Sequence, residues 1–118
     1  MVRGDIYFVD LQPRSGSEQA GRRPCIIVST DAFNHARGWR SITVVPLTSS
    51  ERWQTLSPTT LLFAPGESGL PKNCAALAHQ ITTIDRDKII GGRIGSLTSQ
   101  KLSELNHALQ NYLDLNEA

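Results

Sequence analysis

The sequence predicts a mainly β domain in which a small, strongly bent sheet or barrel is joined to one C-terminal amphipathic helix. Five or six short runs rich in β-branched and aromatic residues are separated by turn-rich connections, and clear helical periodicity follows only after Leu97. Strands do not alternate with long helices, so a parallel nucleotide-binding sheet is not expected. At 118 residues the chain has the length of one domain, and we expect residues 1–118 to form it.

The first half of the chain holds three predicted strands, at Asp5–Leu11, Cys25–Ser29 and Ser41–Leu47. Pro24 fixes its own φ and favours an extended conformation for Arg23 before it. Between the second and third strands, the segment 31–40 offers one helical turn. Pro46 cannot donate a ladder hydrogen bond, so we expect pairing to loosen near the end of the third strand.

The second half holds three further predicted strands, at Thr59–Ala64, Asn73–Ile84 and Arg93–Leu97. The long middle strand could bend, and its alternation would place Leu77, His79, Ile81 and Thr83 on one side. Asp85 is expected to cap a short helical turn that runs through Lys88. The pair Gly91-Gly92 is expected to separate that turn from the last strand.

The C-terminal segment carries the clearest helix signal. Thr98 is the expected N-cap, and large apolar residues recur at helical spacing after it, at Leu102, Leu105, Leu109, Tyr112 and Leu113. Such a stripe indicates a face that packs on the domain core or in an interface.

Composition excludes several classes of protein. Cys25 and Cys74 are too few for a disulfide framework, and their apolar surroundings indicate small buried side chains. The histidines show no zinc-ligand spacing, so we expect no metal site and no cofactor. No apolar run reaches about 18 residues and no signal peptide is evident, which predicts a cytoplasmic protein without membrane association.

The segment Ser15–Ser29 joins a polar loop, SGSEQAG, to an apolar strand, CIIVS, and Arg23 lies at the junction. A second polar group, Thr48-Ser49-Ser50, follows another predicted strand. Without a metal, such residues suit the cleavage of RNA by its own 2′-hydroxyl, because the substrate supplies the nucleophile. The protein then needs only to orient that hydroxyl, exchange protons and stabilise charge on phosphorus, and a planar guanidinium suits the phosphate oxygens.

Four blocks of sequence resemble the MazF/PemK family of toxin ribonucleases, in the family's order and spacing. They are RGDIYFVDL, SGSEQAGRRPCIIVST, VVPLTSS and AHQITTID, and the resemblance covers roughly residues 3–113. It implies an SH3-like β-barrel of the PemK/CcdB type with a C-terminal helix, usually as a homodimer. It further implies a metal-independent endoribonuclease that cuts single-stranded mRNA at short sequences, leaves a cyclic phosphate and a 5′-hydroxyl, and is blocked by a cognate antitoxin.

The resemblance also assigns roles to residues. Arg23 matches the family's catalytic arginine and Thr48 its catalytic threonine. The loop Ser17-Glu18-Gln19 matches the segment that borders the RNA site. Two further positions, Ser49 and Gln80, are expected to contact substrate.

His79 departs from one branch of the family. That branch has a catalytic arginine and aspartate where this sequence has Leu77 and His79, so its acid–base scheme does not transfer. An arginine side chain stays protonated near neutral pH, so Arg23 would be a poor general base and we expect it to stabilise charge instead. Histidine is the side chain best suited to carry a proton near neutral pH, so His79 is either a proton carrier or a bystander.

Two other functions compete with RNA cleavage. One is a gyrase-inhibiting binding protein that resembles CcdB, which would need neither Arg23 nor Thr48. The other is an inactive family member that binds RNA or its antitoxin without cutting. Cleavage of RNA in the presence of a chelator would separate the endoribonuclease from both of these alternatives.

Overall fold

The computed structural model describes residues 1–12 and 15–115, which form a bent antiparallel sheet and two α-helices. The strands are β1 (Asp5–Asp10), β2 (Arg22–Ile27), β3 (Ser41–Thr48), β4 (Thr60–Phe63), β5 (Cys74–Leu77), β6 (Thr82–Asp85) and β7 (Ile89–Ser96). The helices are α1 (Asp31–Asn34) and α2 (Ser99–Leu113). The sheet order is β4-β5-β3-β2-β1-β7, and β6 pairs with β3. The predicted mainly β fold with a C-terminal helix is confirmed.

Strand β3 is the centre of the sheet because it pairs with three other strands. On one side it pairs with β2, as far as Pro46 opposite Cys25. On its other side the first half pairs with β6, up to Val44, and the last two residues pair with β5. The ladder with β2 ends at Pro46, near the end of the strand where looser pairing is expected, whereas the pairing with β5 continues to Thr48. Thr48 is still within the strand, opposite Ala75.

The predicted single strand Asn73–Ile84 is wrong, because a 3₁₀ turn at Ala78–Gln80 divides it into β5 and β6. Both pieces pair with β3, where Val44 faces Thr82 and Leu47 faces Ala76. Between these two pairs β3 has only residues 45–46, whereas the facing segment has residues 77–81. The surplus folds into the turn, so His79 and Gln80 lie on it and not in a strand.

Two other predicted boundaries are also corrected. Strand β2 begins at Arg22 and not at Cys25, because residues 22–24 pair with β1. Gly91 and Gly92 lie inside β7, which bulges between its pairs with Phe8 and Ile6 of β1. Gly91 has a φ of +70°, a conformation that glycine adopts without steric cost, and this lets the strand carry the extra residues.

Both predicted helix caps, Asp85 and Thr98, are present in the structure. Asp85 caps the turn Arg86–Lys88 by accepting a hydrogen bond of 2.8 Å from the Asp87 N–H. That bond, with help from Arg40, holds the pKa of the Asp85 carboxyl below its usual value. Thr98 caps α2 through a 3.2 Å bond from the Lys101 N–H to its hydroxyl oxygen. Within the residues that the structure describes, no helix has the length and apolar character of a membrane span.

Alternation along the strands sorts apolar side chains into two core clusters. The first core cluster lies under α2 and includes Ile6, Ile26, Val45, Leu47, Phe63, Cys74, Ala76, Leu105 and Leu109. The second core cluster, on the other face of β1–β3, consists of Val9, Leu11, Cys25, Ile27, Ile42, Val44 and Ile84. Both cysteines are buried, as predicted. Of the predicted apolar stripe of α2, Leu105 and Leu109 are buried in this core, whereas Tyr112 and Leu113 are 49% and 43% exposed.

The loop between β4 and β5 lies directly against β7 through two glycines. A Cβ atom at Gly69 would stand 2.6 Å from the Ile94 carbonyl oxygen, and one at Gly95 would stand 2.6 Å from the Ser68 carbonyl oxygen. Ser68 itself is fully buried, with its hydroxyl 3.3 Å from the Cys74 sulfur. This contact fixes the loop on the sheet.

We expect Gly95→Ala to lower the free energy of unfolding by about 1–3 kcal/mol, because the added methyl group would collide with backbone. Urea unfolding followed by circular dichroism measures the change. Gly92→Ala is the matched control, because a Cβ there meets nothing within 4 Å and the same strand carries both positions. Equal stabilities of the two variants would contradict the close contact.

Candidate active site

A cavity of about 320 Å³ continues the face of the sheet that carries the first core cluster. Cross-strand pairing places Phe8 beside Pro24 on that face, just beyond the buried pair Ile6 and Ile26. The cavity is lined by Phe8, Arg22, Arg23, Pro24, Leu47, Thr48, Ser49, Leu70, Pro71, Lys72 and Cys74. It therefore has an apolar floor and a rim of cations and hydroxyls.

Arg23 is one of the residues that line this cavity, and it is partly buried in β2, opposite Val9 of β1. Its Nε donates a 2.9 Å hydrogen bond to the Ala20 carbonyl oxygen. Within the described residues its two terminal nitrogens make no hydrogen bond or ion pair. The guanidinium is thus held at one edge, and its other N–H groups remain for an anion, to which a planar fork binds well.

Thr48 reaches the same cavity as the last residue of β3, and it is 3% exposed. Its hydroxyl oxygen accepts a 3.2 Å hydrogen bond from the Ser50 N–H, which leaves the hydroxyl proton free to be donated. The Gln54 amide donates to the carbonyl oxygens of Thr48 and Ser50, at 3.1 and 3.0 Å. Ser49, between them, is exposed on the cavity lining.

Gln80 holds the polar loop that precedes Arg23. Its amide oxygen accepts the Gln19 N–H at 3.3 Å, and its amide nitrogen donates to the Ser17 carbonyl oxygen at 3.2 Å. The position expected to contact substrate therefore binds loop backbone in this structure. Within the loop, the Ser15 hydroxyl donates to the Glu18 carboxylate at 3.3 Å.

His79 belongs to a different cluster of side chains. Its ring centre lies 5.2 Å from that of Trp53 and 6.2 Å from that of Tyr112, so it packs between the β3–β4 connection and α2. It is not among the described residues that line the cavity with Arg23 and Thr48. The geometry favours the bystander alternative for His79 over the proton carrier.

The structure adds cavity residues that the sequence patterns did not single out, chiefly Phe8 and Lys72. In the sequence Phe8 is an ordinary strand aromatic, yet its side chain is 40% exposed where it lines the cavity. Lys72 falls in a turn-rich segment that carries no motif. Only the strand register, which brings Phe8 beside Pro24, could have pointed to the first of these.

Comparisons with known proteins match almost the whole chain. The chain is 37% identical to endoribonuclease MazF9 of Mycobacterium tuberculosis, with 98% of each chain covered, and 30% identical to endoribonuclease EndoA of Bacillus subtilis, with 92% of this chain and 90% of that protein covered. In structure it resembles a mycobacterial endoribonuclease solved with its cognate antitoxin, at a TM-score of 0.77 and 27% identity, covering 100% of this chain and 99% of the other.

A family model described as a PemK-like, MazF-like toxin of type II toxin–antitoxin systems matches residues 2–113. The match spans every strand of the sheet and helix α2, and it includes both Arg23 and Thr48. The chain belongs to the PemK-like, MazF-like family of type II toxins.

Proposed function

We propose that this chain is the endoribonuclease toxin of a toxin–antitoxin pair and that it cleaves single-stranded mRNA without a metal ion. The observation that carries the proposal is that Arg23 and Thr48 both line one cavity. Relatives at 37% and 30% identity are named endoribonucleases, which supports the same activity here. The cavity lining offers cations and hydroxyls, whereas Mg²⁺ sites are built mainly from carboxylates.

In the proposed reaction, the ribose 2′-oxygen attacks the adjacent phosphorus and the bond from phosphorus to the 5′-oxygen breaks. The products are a 2′,3′-cyclic phosphate and a 5′-hydroxyl. Arg23 binds the non-bridging oxygens, where negative charge grows in the transition state. The Thr48 hydroxyl donates a hydrogen bond to one of these oxygens. The 2′-hydroxyl proton leaves to water and the 5′-oxygen gains a proton from water, because an arginine is too weak an acid to exchange protons near neutral pH.

The proposal extends to the polar loop and to partners. We place Ser17, Glu18 and Gln19 beside the RNA, with Ser49 on the cavity lining as a further contact and Gln80 as the residue that positions the loop. A cognate antitoxin is the expected inhibitor, since related toxins are solved in complex with one. We further propose a homodimer, a cytoplasmic location that follows from an mRNA substrate, and a single toxin domain over residues 1–118.

Arg23→Ala is expected to lower kcat/KM for RNA cleavage in excess EDTA by about 10²–10³-fold, because it removes the main positive charge that stabilises the developing oxyanion. The assay uses a defined RNA with its product ends mapped, and wild type should leave cyclic-phosphate and 5′-hydroxyl ends. Arg37→Ala is the matched control, as that exposed arginine is outside the cavity lining. Cleavage by wild type that requires a metal, or that survives Arg23→Ala, would contradict the mechanism.

Thr48→Val keeps the shape of the side chain but removes its hydroxyl. We expect kcat/KM to fall about ten- to a hundredfold through loss of a charge-assisted hydrogen bond. Stability should fall by only about 0.5–1.5 kcal/mol, because the Ser50 N–H loses its acceptor. Thr48→Ser should retain most of the activity, and a valine variant with wild-type kinetics would remove Thr48 from the reaction.

His79→Gln is expected to leave kcat and its pH dependence close to wild type. The reason is the position of the ring, which packs between Trp53 and Tyr112 and is not part of the cavity lining. Initial rates measured from pH 5 to 9 cover the ordinary histidine pKa of about 6.5. Loss of one limb of the pH profile in the variant would restore His79 as the proton carrier.

A further inference from the structure

We propose that the cavity beside Arg23 and Thr48 binds one nucleobase of the RNA, with Phe8 as the stacking surface and Lys72 as the contact to the adjoining phosphate. The proposal rests on the proposed ribonuclease function and names the part of the substrate that this cavity receives. The proposal thus adds Phe8, which would determine base specificity, and Lys72, which would position the backbone, to Arg23 and Thr48.

The floor of the cavity supplies the apolar half of such a site. In β1, Ile6 and Phe8 lie on the same face, yet Ile6 is fully buried and Phe8 is 40% exposed. The first core cluster thus ends in an uncovered aromatic ring beside Pro24, and Leu47 adds to the apolar lining of the same cavity. Single-stranded RNA is commonly bound by stacking splayed bases on aromatic side chains, since every base presents an apolar face.

The rim supplies the charged half. Its ionised side chains are Arg22, Arg23 and Lys72, and none of the described lining residues is a carboxylate. Within the described part of the chain the Lys72 ammonium makes no hydrogen bond or ion pair, whereas Arg22 lies across the ladder from Asp10. We therefore assign the neighbouring phosphate to Lys72. The charge of the rim is complementary to a phosphodiester.

The wall and the volume of the cavity favour one base over a longer segment. About 320 Å³ is at the lower end of small-ligand cavities. Leu70 and Pro71 form a wall on the β4–β5 loop, and the contact of Gly69 with Gly95 fixes that loop to the sheet. A wall held by backbone contact cannot yield easily to a larger ring. The cavity is thus suited to discriminate between bases at one position of the cleavage sequence.

The test compares wild type with Phe8→Ala, Phe8→Trp and Lys72→Met in excess EDTA. Cut sites are mapped on a pool of RNAs, and kcat and KM are measured on one oligonucleotide that wild type cleaves. We expect Phe8→Ala to raise KM about ten- to a hundredfold and to relax the preference at a single nucleotide position. Phe8→Trp should retain both KM and preference. Phe33→Ala is the matched control, because Phe33 is another exposed aromatic outside the cavity lining.

Lys72→Met should raise KM and reduce its salt dependence, lowering the slope of log affinity against log salt by about 0.7, without altering the sequence preference. A direct binding measurement uses an oligonucleotide with a 2′-deoxy sugar at the cut site and 2-aminopurine at the preferred position. Its fluorescence should be quenched by wild type and not by Phe8→Ala.

The outcomes separate the two proposals. A folded wild-type protein that cleaves no RNA would overturn the proposed function. Wild type that cleaves, with a Phe8→Ala variant that has the same KM, cut sites and 2-aminopurine quenching, would overturn the base site alone. Urea unfolding of each variant identifies any loss of activity that comes from loss of the fold.

Discussion

The arrangement of the site depends on the unequal pairing of β3. Two residues of this strand separate its ladder with β6 from its ladder with β5, while the facing segment has five. The surplus forms the turn at Ala78–Gln80, which places Gln80 where its amide can bind the backbone of the polar loop. The same change of partner keeps Thr48 inside the sheet, where a buried strand end fixes its hydroxyl. One mismatch in the ladder thus positions both Thr48 on the cavity lining and Gln80 beside the polar loop.

The second organising feature is the edge of the core. A cavity floored by Phe8, Pro24 and Leu47 has a lower local dielectric than open solvent, so a charge at its rim interacts more strongly with a bound phosphate than one on an exposed surface. Arg23 is only partly buried and has an ordered anchor, so it keeps its charge without the large desolvation cost of a fully buried ion. A guanidinium in this position is preorganised for an anion.

Local signals in the sequence predicted the parts of the fold that depend on neighbouring residues. Pro24 forces Arg23 to be extended, Asp85 and Thr98 cap the elements that follow them, and the leucines of α2 recur at the period of a helix. The turn within segment 73–84 has no sequence signal because no glycine or proline interrupts the segment, and only the ladder of β3 shows that it cannot remain one strand. Phe8 and Lys72 were missed for the same reason. Their places in the cavity follow from strand register and from the packing of a loop, which are properties of distant residues.

The anchoring of Arg23 connects the polar loop to the chemistry. Arg23 Nε binds the carbonyl oxygen of Ala20, the residue directly after the segment that Gln80 holds. Two hydrogen bonds of 3.2–3.3 Å join Gln80 to that segment, whereas Arg23 itself is paired with Val9 in the ladder of β1 and β2. Each such bond contributes only about 0.5–1.5 kcal/mol. A ligand that moves the loop also moves the hydrogen-bond acceptor that orients the guanidinium. Binding at Ser17–Gln19 and the position of Arg23 are therefore linked through a single carbonyl group.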